Sequence, residues 1–210
     1  MDYPEEWSEL PRHERRKKIR ALRREQTEKS SLVKKISTWG LVIILLVLVV
    51  VGFTRLTKKS PEEIEFEQQV ETVSLEGKVA EFSIEGTTHL PIGTEVTYQT
   101  NPPTSGNHYA NPTPWGIYDE EVVDEAVVHS LEHGGIWISY KDISEEEIAI
   151  LEEVGKENPQ STVISPRSSN ENSIVVASWG KMMVLETADK ALIQKYIDEF
   201  KNQAPEKLAR

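Results

Sequence analysis

A chain of 210 residues without a cysteine has no disulfides, no thiolate metal site, no CxxCH haem attachment and no thiol nucleophile, so any metal must be held by His, Met or carboxylate. The net charge of -11 is unevenly spread: residues 1–40 carry eleven Lys/Arg against seven Asp/Glu, and the remainder thirteen against twenty-eight. An acidic main domain weighs against nucleic-acid partners, which need a basic surface, and the length accommodates a membrane anchor plus one domain of roughly 100–150 residues.

In chain order, the basic cluster RHERRKKIRALRR at 12–24 stands ahead of an uncharged run from Ile36 to Thr54, nineteen residues long. At 1.5 Å per residue that run reaches across a bilayer core, so 36–56 is expected to be a single transmembrane helix. The basic excess places residues 1–35 in the cytoplasm and 57–210 outside the membrane, with Trp39 at the inner interface and Arg55, Lys58 and Lys59 at the far end. The same basic cluster has the charge to grip anionic headgroups.

Ser60-Pro61-Glu62-Glu63 reads as a helix start, with Ser60 as cap, and predicts an acidic stalk over 57–72. Residues 73–205 then form the main domain. Its first part is β-like and broken by glycines, with a strand expected at Glu95–Thr100 and His89 in a polar turn. The proline-rich segment 101–119, NPPTSGNHYANPTPWGIYD, is neither helix nor central strand, yet Tyr109, Trp115 and Tyr118 give it apolar mass. A helix is expected over 121–133, opened by Asp119, Glu120 and Glu121 and stopped at Gly134-Gly135. After it come a strand at 136–140, a helix capped by Ser144 and Glu147, and strands near 161–165, 173–179 and 182–186. A last helix is expected over 188–202. The fold class is α+β, a transmembrane helix followed by a compact extracytoplasmic domain of mixed strands packed against helices.

The chemistry concentrates in VVHSLEHGGIWISY at 127–140. On a helix His129 and His133 lie one turn apart, roughly 5–6 Å between Cβ atoms, close enough to share a metal. PPTSGNHY at 102–109, VHSLEHGGIWISY at 128–140 and ASWG at 177–180 together resemble the domain-of-unknown-function 3105 family over roughly residues 70–205. The resemblance implies an anchor of one span near the amino terminus and a single site made of His108, His129, Glu132 and His133; it implies no particular reaction.

Three functions compete on this pattern. The first is a transition-metal site on His108, His129 and His133, completed by His89, Met182 or Met183. Copper or zinc is the suspected ion, with Cu(I) favoured only if a thioether ligates. The second is a structural or protein-interaction domain without metal, with the Pro/Trp/Tyr loop as its partner surface and the protein partner unknown. The third is a zinc hydrolase, because His129 to His133 spells H-x-x-E-H. On an isolated helix Glu132 points about 60° from His129 and away from the apolar stripe, so it is expected at the solvent side, with Glu132→Gln leaving metal affinity within about tenfold.

Overall fold

A computed structural model describes residues 4–7, 9–56 and 59–210, without the side chains of 30–36, 52 and 54–56. They fall into two compact units, Met1–Ser60 and Pro61–Arg210.

The first unit is a short 3-10 turn at Glu5–Trp7 followed by one long helix, α1, Arg12–Leu56. Its large apolar side chains, among them Trp39, Leu41, Leu45 and Leu48, are exposed. Among the described residues no helix is long and apolar enough to cross a membrane. The single span expected over 36–56 is therefore not shown by the fold. Its expected ends at Ile36, Arg55 and Lys58 lie outside the described side chains.

The second unit begins at α2, Pro61–Thr72, so the predicted stalk is from Pro61 onward part of this unit. Val70 is buried, and Lys190 Nζ sits 4.4 Å from the centroid of the Phe66 ring. The centre of the unit is a mixed six-stranded sheet. In chain order its strands are β1, Val79–Glu81; β4, Gly116–Ile117; β5, Ile136–Tyr140; β6, Thr162–Pro166; β7, Ile174–Ser178; and β8, Lys181–Leu185. Across the sheet the order is β1-β8-β7-β5-β6-β4, with β6 parallel to β5 and β4 and the other pairs antiparallel. A second, two-stranded parallel ribbon joins β2, His89–Leu90, to β3, His108–Tyr109.

Strand alternation divides the sheet residues between two cores. Ile136, Ile138, Ile164, Ile174, Val176 and Met183 face α4, Glu145–Glu157, and α5, Lys190–Phe200, where Leu151, Val154, Ile193, Tyr196 and Ile197 complete one cluster. Trp137, Val163 and Ala177 face the other way and pack with Val127, Val128 and Leu131 of α3, Asp124–Glu132. The result is three layers, helices on both faces of the sheet, because central strands apolar on both faces must be covered twice.

The capping box is present: Ser144 Oγ accepts from Glu147 N–H, and the Glu147 carboxylate accepts from Ser144 N–H. Ser144→Ala is expected to lower stability by about 1 kcal/mol, read from urea denaturation. Bonds from the backbone N–H of Ser144 and then of Ala188 hold the Glu147 carboxyl below its usual 4.5. A lowered carboxyl pKa adds stability above about pH 4.5 and loses it as pH falls through the folded value; because the bonds that lower it come chiefly from backbone N–H groups that Ser144→Ala keeps, this acid loss should be largely shared by wild type and variant.

The strand expected at Glu95–Thr100 does not form. Gln99 N–H is taken by the Glu85 carboxylate at 3.0 Å, and Tyr98 turns inward against the α3-side cluster. The proline-rich segment is interior rather than a free surface at its start, where Pro102, Pro103, Thr104 and Ser105 are buried. Only tertiary pairing makes β2, β3 and β4, each of two residues.

Candidate metal centre

The site is assembled from the β2–β3 ribbon and the last two turns of α3. Pairing in register sets His89 directly beside His108. The SGNHY stretch builds this junction. Gly106 has φ +130°, and a Cβ there would fall 2.8 Å from the Tyr98 ring, so the turn needs glycine on both counts. Asn107 Oδ1 accepts from Thr88 N–H at 3.1 Å, and Thr88 O accepts from His108 N–H at 3.0 Å, which docks β2 onto β3. Tyr98 O–H donates to Asn107 O at 2.8 Å from the other side.

Every residue of α3 from Val127 to Glu132 is buried. One side lies on the sheet through Val127, Val128 and Leu131, and the loop 101–113 covers the other: Ser130 Oγ donates to Thr113 O and His129 bonds to Tyr109 O. The helix begins at Asp124, three residues later than expected, with Val123 as a cap that makes no side-chain bond; Asp124 and Glu125 supply the first-turn charge. It stops where expected, at Gly134 with φ +88°. The segment 202–210 then covers its end: Glu206 N–H donates to Glu132 O, and Leu208 and Ala209 N–H donate to His133 O. A Cβ on Gly134 would meet Asn202 Oδ1 at 2.6 Å, and one on Gly135 would meet the Trp115 ring at 2.1 Å, so this corner closes only around glycines.

His89, His108, His129 and Glu132 each offer one ligand atom, and the four atoms lie within 4.8 Å of one another. The imidazole centroids are 4.5 to 4.9 Å apart. His108 is fully buried, His129 and Glu132 nearly so, and the His89 side chain is 48% exposed. A carbonyl can only accept, so His108 Nδ1–H donates to Gly106 O and His129 Nδ1–H donates to Tyr109 O, both at 2.7 Å. If each ring is neutral, its Nε2 then carries a lone pair. His108 Nε2 lies 3.2 Å from Glu132 Oε2, near enough for an ion pair, yet it is a buried nitrogen with no hydrogen-bond partner among the described residues. The contact is not a hydrogen bond, and a lone pair this close to a carboxylate oxygen is repulsive unless a cation stands between them. Burial lowers the His129 pKa, against the raising effect of its bond to Tyr109, and the neighbouring His133, His108 and His89 lower it further. These effects favour the neutral, lone-pair-bearing form of His129.

Two of the three expected ligands, His108 and His129, meet here; the third does not. His133 meets the His129 ring edge-on, centroids 4.4 Å apart, but its Nε2 is 3.2 Å from Glu206 Oε2 and it stands outside the four-residue group. Glu132, expected at the solvent side, is instead buried among the imidazoles, because the wheel of an isolated helix takes no account of the loop that covers its second face. With Glu132 inside the group and His133 turned away, the H-x-x-E-H assignment of two ligating histidines and an outlying base does not match the geometry. Met183 is on the opposite face of the sheet, in the α4–α5 core. His89 is the residue the sequence signals least: only its pairing with β3, nineteen positions later, brings it to the site.

The model of the family described as protein of unknown function (DUF3105) matches residues 89–210, and the chain belongs to that family. The matched region starts at His89 and contains all four residues of the cluster. No curated protein and no solved structure matches the chain.

Proposed function

We propose that the domain binds one divalent transition-metal ion through Nε2 of His108 and His129, an imidazole nitrogen of His89 and the Glu132 carboxylate. The observation that carries this reading is the buried His108 Nε2, which has no hydrogen-bond partner among the described residues although Glu132 Oε2 lies 3.2 Å away. A proton on one ring could relieve one such pair, whereas a single metal ion accepts all four donors at once. The two carbonyl bonds are the outer support common to ligating histidines, which fixes each tautomer with Nε2 inward. Three imidazoles and a carboxylate suit Zn(II) or Cu(II). Cu(I) would need a thioether: Met183 is in the far core, no cysteine exists, and only Met182, paired opposite Ala177, alternates to the α3 side of the sheet. Tetrahedral ligation at about 2.0–2.1 Å puts donors roughly 3.4 Å apart, against up to 4.8 Å among the four atoms here, so the widest pair must close by roughly 1.4 Å. The test is thermal melting of chelator-treated protein with and without Zn(II) or Cu(II); a midpoint unmoved by either ion would leave a structural cluster stabilised by protonation instead.

We also propose that residues 36–56 anchor the chain once in a membrane, with 1–35 on the cytoplasmic side and the metal domain outside. The uncharged run from Ile36 to Thr54, the basic excess ahead of it and the exposed apolar side chains of α1 support this. Protease added to intact cells should then degrade the domain. Cleavage seen only after lysis would reverse the orientation.

A further inference from the structure

The four donors are not held alike. His108 and His129 are each locked by an Nδ1–H bond to a carbonyl, and Glu132 belongs to a helix whose end is tied down by residues 206–209. All three are buried. His89 differs on every count. Its side chain is 48% exposed, and among the described residues no hydrogen bond holds its ring. Its nearest charged group is the shared Glu132 Oε2 at 3.6 Å. Its strand is two residues long and pairs only with β3, with no regular structure from 82 to 88 or from 91 to 107.

We propose, resting on the metal reading above, that His89 is the exchangeable ligand: His108, His129 and Glu132 form a buried two-imidazole, one-carboxylate tripod that retains the metal, and the His89 position is where a small Lewis base from solvent binds. The exchange breaks the bond from metal to His89 nitrogen and forms one from metal to the incoming donor. With a neutral base no proton or electron moves and the charge of the site is unchanged. A tripod of this composition with a replaceable position is the arrangement of metal sites that coordinate an outside molecule, whereas structural sites are closed by four firmly held protein ligands. The exposed flank gives that molecule its approach, and the short strand lets His89 swing out without disturbing the sheet.

The test uses the full-length chain in mild detergent with Co(II) as the bound metal, whose visible absorption reports its coordination. His89→Ala is expected to retain one Co(II) per chain with affinity weakened about tenfold to a hundredfold, the range of supporting rather than indispensable groups. Its altered spectrum should return toward that of wild type on adding millimolar imidazole. His129→Ala should retain no Co(II). The proposal is overturned if His89→Ala, folded by circular dichroism, loses Co(II) as completely as His129→Ala, or if imidazole leaves its spectrum unchanged. Should His89→Ala misfold, His89→Gln is judged by the same two readouts. Failure of wild type to bind Co(II), Zn(II) or Cu(II) removes the metal reading itself, a result distinct from equal loss in the two variants.

Discussion

His129→Ala is expected to erase the metal-dependent stabilisation of the domain. An ion that binds only the native state at about a thousand times its Kd raises stability by about 4 kcal/mol. In a domain of this size that is a rise of about 8–16 °C in the melting midpoint. His129 stands within the four-donor group, whereas His133, the other histidine at this helix end, lies outside it with its Nε2 3.2 Å from Glu206 Oε2. The variant also loses one hydrogen bond in the metal-free state, at about 1 kcal/mol. The informative quantity is thus the shift produced by metal, not the midpoint itself. His133→Ala is the matched control. Since its Nε2 faces Glu206, the metal shift should survive; its loss there, with retention in His129→Ala, would interchange the roles of the two residues.

Arg167→Ala should destabilise the fold by about 3 kcal/mol or more, at the lower end for breaking a buried ion pair because the Asp124 side chain remains 28% exposed. Arg167 Nε and Nη2 donate side by side to the two carboxylate oxygens of Asp124 at 3.0 and 2.7 Å. Its Nη1 donates to Asn170 Oδ1 at 2.9 Å and to Asn101 Oδ1, and its guanidinium carbon lies 5.6 Å from the centroid of the Trp137 ring. One side chain therefore joins the first residue of α3, the start of the proline-rich loop and the sheet. Truncation leaves Asn101 and Asn170 short of a donor and uncovers Trp137. The check is a urea midpoint that falls with unchanged slope. Asp124→Ala added to Arg167→Ala should cost less than it does alone, which is the signature of coupling. A loss under about 1 kcal/mol would assign the network no more than the worth of a surface pair. Because α3 also carries His129 and Glu132, the same variant should weaken metal binding.

Local sequence was sufficient where one element's own residues settle its structure. Ser144 and Glu147 cap α4 wherever it packs, Gly134 stops α3 because only its backbone tolerates the left-handed turn, and the apolar runs at 136–140, 162–166 and 174–178 are strands by composition and length. The motif histidines His108 and His129 were legible for the same reason: their types and spacing announce a site. Glu95–Thr100 had strand-like composition, but a strand needs a neighbour to take its N–H groups, and Glu85 takes that of Gln99 instead.

By itself, then, the sequence determined the element types of the α+β domain, its freedom from thiol chemistry, the charge asymmetry of the chain and the neighbourhood of the site. Tertiary structure decided which donors meet. The parallel pairing of β2 with β3 brought His89 in, the loop 101–113 buried Glu132 on what would be the open face of α3, and Glu206 from the segment after α5 drew His133 out. The physical reason is common to all three. A helical wheel or a motif spacing describes one element in isolation, whereas a ligand set is fixed by contacts between residues 17 to 73 positions apart, from Thr113–Ser130 to His133–Glu206, which no local periodicity encodes.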